Sequence, residues 1–304
     1  MRVSLMGQAA FGEAVLKRLL EDGVAIAGVS APAPSGSRPD ALAAAADAAG
    51  IPVVVTSHLK EPGGLAVWRA LEADLCVMAF VTEILPAEVF SVPARGTIQY
   101  HPSLLPLHRG IASMNWPIIF GERETGLTVF WPDEGVDTGP ILLQKTCPIG
   151  PHDTVGSLYF ERLFPMGVVA LSEAVALVAA GNAPRIDQDH AGATYEPPLR
   201  DEHARIRWHE PAERVYALIR GSNPQPGAWA MHGDAKLRFF DCRLESARVA
   251  GMPGRVLSVD ADGFDVRLNG GVLRVLRVQP EGAKKVPAGE WAGAAGLAVG
   301  ARLR

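Results

Sequence analysis

The feature that most constrains this chain is an alternation repeated over its first hundred residues. Five short apolar runs, "RVSLMG", "VAIAGVSA", "IPVVVT", "ADLCVMAF" and "GTIQYH", are separated by stretches of helical pattern. In "FGEAVLKRLLEDG" the side chains of Val15, Leu16, Leu19 and Leu20 share one helical face, and Gly23 marks the stop. "ALAAAADAAG" and "GLAVWRALEA" read as helices, and "ILPAEVF" as a short helical turn. Strands that are apolar along their whole length and joined by helices predict a mostly parallel sheet covered on both faces. The pattern continues through "IASMNWPIIFG" (helix), "GLTVFWP" (strand) and "ILLQKTCPI" (strand). A long helix is then expected from Thr154 to Ala180, with Asp153 as its N-cap and a bend at Pro165.

Between Gly181 and Ala204 this pattern stops. The segment "GNAPRIDQDHAGATYEPPLRDEHA" is rich in proline, glycine and charge and reads as a connection. Beyond it come one helix, "EPAERVYALIRG", and the short runs "KLRFFDC", "GRVLSVD", "GFDVRL" and "GVLRVLRV". Asp262-Gly263 and Asn269-Gly270-Gly271 suit tight hairpin turns. Short strands with glycine turns predict a small OB-like β-barrel that hides its edges by closing. A length of 304 residues accommodates two domains. The expected division is 1–204, including the connecting segment 181–204, and 205–304.

Bulk properties narrow the classes of function. The formal net charge is −4, so the chain lacks the basic excess of a protein that wraps tRNA or DNA. Cys76, Cys147 and Cys242 are far apart, without the spacing of a zinc site or a disulfide framework. "MRVSLMGQ" reads as a first strand rather than a signal peptide. The apolar run from Val168 to Gly181 is shorter than a membrane span and contains Glu173. A cytoplasmic protein without membrane contact is the expectation. The first strand is followed by Gly7 and Gly12 in a G-x-x-x-x-G spacing that lacks the middle glycine of a dinucleotide fingerprint, and no G-K-[ST] follows. Neither NAD(P) nor a P-loop nucleotide is expected.

Two loops carry the polar groups suited to chemistry. In "IQYHPSLLPLHRG", Ile98 to Gly110, Pro102 and Pro106 rule out a helix interior, so the run is a shaped loop leaving a strand. The second loop is "FWPDEGVDTGP", Phe130 to Pro140. Strand ends in an open α/β sheet line one crevice, which would let the loops face each other. His101 and Asp137 are then natural partners, since a carboxylate fixes the orientation of an imidazole, and an imidazolium donates to a developing oxyanion. Taken singly, His101 also suits a cap or a core position, and Asp137 before Thr138-Gly139 suits a turn. A metal reading of His101, His108, Asp133 and Asp137 lacks tight ligand spacing, and no metal is expected.

Together the two loops resemble the folate-dependent formyltransferase family. "HPSLLPLHRG" with "DEGVDTGPILLQ" about thirty residues on carries the resemblance, and "MGQAAFG", "GATYE" and "IRGSNPQPGAW" extend it along the chain. The pattern looks like the hydrolase domain of 10-formyltetrahydrofolate dehydrogenase, and the β domain like the C-terminal barrel of methionyl-tRNA formyltransferase. The resemblance implies a Rossmann-like α/β domain followed by the OB-like domain, with 10-formyltetrahydrofolate as formyl donor. It implies a catalytic set of His101, Asp137 and Gln99, where Gln99 stands in place of the family's usual Asn. It places folate binding at Phe80, Val81, Ile84, Leu85 and Pro86 and at Asp133, Glu134, Gly135 and Val136. Ser103 and Arg109 match recurring polar residues that brace the loop at the folate site.

The acceptor is left open between water, giving formate and tetrahydrofolate, and a small amine. Arg38 is the only basic residue in "SAPAPSGSRPD", where methionyl-tRNA formyltransferases carry a basic insertion, which argues against tRNA as partner. Methionyl-tRNA formyl transfer remains an alternative, as does a folate-binding protein whose turnover is impaired by Gln99.

Overall fold

The computed structural model describes residues 1–36 and 38–304. The chain resolves into two compact units, one made of Met1–Ser113, Thr125–Cys147 and Phe160–Glu196, the other of Met114–Glu124, Pro148–Tyr159 and Pro197–Arg304. Where the sequence suggests one cut at 204/205, the contacts group two internal segments and residues 197–204 with the C-terminal strands.

The first unit is built on β1 (Arg2–Gly7), β2 (Ala25–Ala31), β3 (Val53–Val55), β4 (Leu75–Ala79), β5 (Thr97–His101), β6 (Glu124–Phe130) and β7 (Ile141–Pro148). Their order is β3-β2-β1-β4-β5-β6-β7. β1 to β5 pair in parallel, whereas β6 runs antiparallel to β5. The helices of the chain's first half are α1 (Ala9–Glu21), α2 (Ala41–Ala48), α3 (Pro62–Ala70), α4 (Ala87–Phe90) and α5 (Asn115–Phe120), the last of these in the second unit. They are followed by α6 (Val155–Leu158) and α7 (Phe164–Ala179).

Alternation along β4 shows why the runs are continuously apolar. Leu75, Val77 and Ala79 join one core with α1 and α7, while Cys76 and Met78 join the other with Trp68 of α3. A strand buried on both faces needs an apolar residue at every position. Gly7 serves this packing: a Cβ there would lie 2.4 Å from the Ala79 carbonyl oxygen. Burial pushes the Cys76 thiol up to about 12, so it stays protonated as a core residue.

The long helix is interrupted. Thr154 is the residue that caps α6: its hydroxyl accepts from the Ser157 N–H and its own N–H donates to the Ser157 hydroxyl, while Asp153 accepts from the Gly150 N–H. A π-turn over Tyr159–Leu163 separates α6 from α7, and Pro165, which has no N–H to donate, sits in the first turn of α7 directly after it. The helical run Val155–Ala179 is 25 residues, long and apolar enough by composition to cross a membrane, and longer than the run the sequence marks. In α7 the apolar face, Ala170, Leu171, Ala174, Val175 and Val178, is buried in the core of the parallel sheet. α5 is shorter than expected, beginning only at Asn115.

The second unit holds α8 (Ala212–Gly221), the strands β8 (Trp229–His232), β9 (Ala235–Ser246), β10 (Val256–Val259), β11 (Phe264–Leu268), β12 (Gly271–Pro280) and β13 (Val286–Pro287), and α9 (Ala288–Ala294). The sheet is antiparallel in the order β10-β11-β12-β9-β8, with β13 on β12. The two expected glycine turns join β10 to β11 and β11 to β12. β8, β13 and α9 escape sequence reasoning because each is only two to seven residues long. The sheet curls, and the C-terminal residues bridge its edges. Val256 donates to the Ala301 carbonyl and Leu303 to that of Gly254, while Arg304 donates to that of Met231 in β8. Residues 301–304 thus satisfy backbone groups that an open sheet leaves bare.

Candidate active site

The site lies wholly in the first unit. Residues two apart on a strand share a face, so Gln99 and His101 project from the same side of β5, with Ile98 and Tyr100 in the core on the other. His101 closes β5, and the loop that follows folds back on it. Its Nε2 donates to the His108 carbonyl at 2.9 Å, and Ser103 donates to the Leu107 carbonyl at 2.7 Å. Thr128 of β6 receives the Leu105 N–H and donates to the Ser103 carbonyl. Ser103, His108 and Arg109 are buried along with His101.

Asp137 approaches from the second loop. Its Oδ2 lies 3.5 Å from His101 Nδ1 and accepts the Gly110 N–H at 2.8 Å. The meeting does not follow from a shared strand edge. β6 runs antiparallel, with Phe130 opposite Gln99 and Thr128 opposite His101, so its loop leaves in the direction away from His101 and has to return. Two backbone features turn it. A Cβ on Gly139 would stand 1.8 Å from the Trp131 carbonyl oxygen, so only glycine passes there, and Asp137 takes a left-handed φ of 55°. Asp133 closes the turn locally, accepting from the Gly135 N–H and the Thr138 hydroxyl.

The segment read as a connection is part of the site. Ile186 bridges to Ile141, and the buried Gln188 binds both loops. Thr194 receives the His108 N–H on its hydroxyl and the Arg109 N–H on its carbonyl. Glu196 Oε2 lies 3.2 Å from His108 Nδ1, a second histidine–carboxylate contact, with both side chains nearly buried. Arg109 directs its guanidinium to Gln188, Tyr195 and His190, all neutral acceptors. Gln188, Thr194, Tyr195 and Glu196 are the residues sequence reasoning missed. The run "GATYE", set inside a supposed linker, was the signal that could have found three of them.

The remaining expected residues divide by exposure. Ile84 and Val136 present apolar side chains to solvent at 86% and 57% exposure, and Glu134 and Gly135 are exposed beside Val136. Phe80 holds a left-handed φ of 61° at the end of β4, next to the half-buried Val81. Leu85 is a core side chain packed with Trp68, and Pro86 caps α4. Gln8 donates to Thr82 at 3.4 Å, which ties the loops after β1 and β4 together where the strand order reverses. That reversal is where open α/β sheets bind ligands. Among the described residues, no three His, Cys, Asp or Glu side chains come together as metal ligands.

Chemically, the His101–Asp137 contact sets an imidazole nitrogen against a carboxylate oxygen. With Nε2–H committed to the His108 carbonyl, the ring nitrogen that faces the carboxylate at 3.5 Å is Nδ1.

The formyl transferase family model matches residues 2–175, and that of the formyl transferase C-terminal domain matches residues 198–295. The chain is 39% identical over 305 residues to cytosolic 10-formyltetrahydrofolate dehydrogenase of Xenopus tropicalis, covering 96% of this chain and 34% of that protein. It is 38% identical over 294 residues to methionyl-tRNA formyltransferase of Moorella thermoacetica, covering 95% of this chain and 94% of that protein. The chain therefore spans about a third of the length of the dehydrogenases it matches. Among solved structures, HypX from Aquifex aeolicus in complex with tetrahydrofolic acid shares the fold with a TM-score of 0.72 at 19% identity, covering 98% of this chain and 48% of that one. By the reach of these models and the extent of these identities, the chain belongs to the formyl transferase family.

Proposed function

We propose that the chain is an enzyme that removes the N10-formyl group of 10-formyltetrahydrofolate, with water as the acceptor. The observation that carries the reading is the Asp137 carboxylate held between His101 Nδ1 and the Gly110 N–H in a family member. The pterin lies by the Phe80–Pro86 loop, whose backbone groups and the exposed Ile84 suit a flat, polar-edged ring. Val136 and the carbonyls and N–H groups of Asp133 to Val136 form the other wall. Water attacks the formyl carbon and gives up a proton to the His101–Asp137 pair, and the pair returns it to N10 as the C–N bond breaks. The products are formate and tetrahydrofolate. Gln99, on the same face as His101, donates its amide N–H to the oxygen that becomes negative.

This assignment changes the role expected of His101. Its Nε2–H is already spent on the His108 carbonyl, so oxyanion stabilisation falls to Gln99, and His101 acts in proton transfer through Nδ1. Water as acceptor is supported by the 39% identity to a dehydrogenase and by Gln99 standing where the transferases carry Asn. Transfer to an amine is the second reading, favoured by the match to methionyl-tRNA formyltransferase along 94% of its length. Incubation of the pure chain with 10-formyltetrahydrofolate separates them. Tetrahydrofolate and formate released without an amine support hydrolysis. Release only when a small amine or methionyl-tRNA is added supports transfer. Tight folate binding without release in any mixture rejects both and leaves a binding protein.

A further inference from the structure

Gln188 lies in the stretch that reads as a connection, yet its side chain is buried between the two site loops, 5% exposed. Its Nε2 donates to the Asp137 carbonyl at 2.9 Å and to the Gly139 carbonyl at 2.7 Å. Its Oε1 accepts from Arg109 Nε at 3.2 Å and from Nη2 at 2.7 Å. A carboxamide has two donor hydrogens and one oxygen with two lone pairs, so its full capacity is used.

We propose that Gln188 is the positioning residue for Asp137, setting where the carboxylate stands against His101; the inference rests on the proposed reaction. Asp137 has a left-handed backbone, which a non-glycine residue keeps only when its surroundings hold it, and Gln188 grips the carbonyl of that same residue. The carboxylate's other tether is the N–H of Gly110, the residue after Arg109, which Gln188 also grips. One side chain therefore binds the backbone of Asp137 and the guanidinium of the residue that precedes Gly110. Misplacing a reacting group by about 1 Å can cost about 100-fold in rate, so loss of this brace acts on kcat although Gln188 touches no substrate.

The test uses the full chain with Gln188→Glu and Gln188→Leu. Glu keeps the acceptor for Arg109, and indeed strengthens it, but turns lone pairs toward the two carbonyls. Leu removes every bond. The expected result is a fall in kcat of roughly 10- to 100-fold for both variants, with KM for 10-formyltetrahydrofolate near that of the wild type. Gln188→Glu melts close to the wild type, and its Gly110 amide NMR resonance shifts as the bond to Asp137 loosens. Wild-type kcat in Gln188→Glu with an unmoved Gly110 resonance overturns the proposal. Should the wild-type chain release no tetrahydrofolate, the reaction assignment fails, and the Gly110 resonance of folded Gln188→Glu alone decides the positioning role. Should neither variant fold, the Gln188 side-chain amide protons of the wild type decide it. They exchange slowly with solvent if the brace exists, and rapid exchange overturns it.

Discussion

Both units carry ion pairs at the surface, but the first also buries a cluster of polar groups at one corner. In the first, His101, Ser103, His108, Arg109 and Gln188 are buried and satisfy one another across loops from three parts of the chain. In the second, the ion pairs lie at the surface: Arg274 with Asp260, Arg277 with Asp241, Lys236 and Arg238 with Asp201. Buried polar groups lose hydration and gain little net stability, so a network of them specifies geometry more than it stabilises. Exposed pairs are screened by water and contribute little individually. The second unit derives its cohesion from an apolar core around Phe239, Phe264 and Val275. The first gives up some of that economy at one corner to hold a carboxylate against an imidazole.

The sharpest way to break this contrast is at Asp137. Asp137→Asn keeps an oxygen for the Gly110 N–H and removes the charge that stores a proton. Tetrahydrofolate release should fall roughly 100- to 10,000-fold while folate affinity, read by fluorescence titration, holds. Full activity in that variant removes Asp137 from the chemistry. Gln99→Leu should lower kcat by about 100-fold, the loss expected for one oxyanion donor, and an unchanged kcat would turn Gln99 into a bystander. Gly139→Ala acts on the loop's path. The added carbon has no room beside Trp131, so a loss of about 1–3 kcal/mol in urea unfolding is expected together with reduced turnover.

The smallest effect belongs to the second unit. The Arg274 side chain, then the Gly263 and Asp262 N–H groups, hold the Asp260 carboxyl down at about 2, against 3.8 for the free group. A carboxyl depressed in the folded state stabilises it above pH 3.8 and loses that contribution as pH falls through about 2. Asp260 is exposed, so Asp260→Asn should lower the melting temperature only slightly at pH 7 and flatten its fall between these two values. A large drop at pH 7 would show that surface pairs in this unit carry more than the comparison grants them.

Much of the fold is legible in local pattern because period and turn chemistry are local. The parallel strands are continuous apolar runs, and the β10–β11–β12 hairpins are marked by Asp262-Gly263 and Asn269-Gly270. The break in the long helix lies ahead of the residue that marks it in the sequence. Pro165 signals a disturbance, but the π-turn that absorbs it lies before the proline, in residues that carry no breaker of their own. Residues 181–204 read as a linker because proline, glycine and charge look alike in a linker and in a strap that crosses a site. What separates the two is whether the backbone and side chains find partners elsewhere, as Gln188 and Thr194 do.

By itself the sequence determined the parallel sheet, the antiparallel second sheet and the two loops that hold His101 and Asp137, since each follows from residue spacing along a short stretch. Only the tertiary structure decided that β6 runs against β5, that Asp137 must turn back to reach His101, and that Gln188 from a distant segment holds it there. Strand direction and cross-chain hydrogen bonds join residues tens of positions apart, and no local pattern encodes such a pairing.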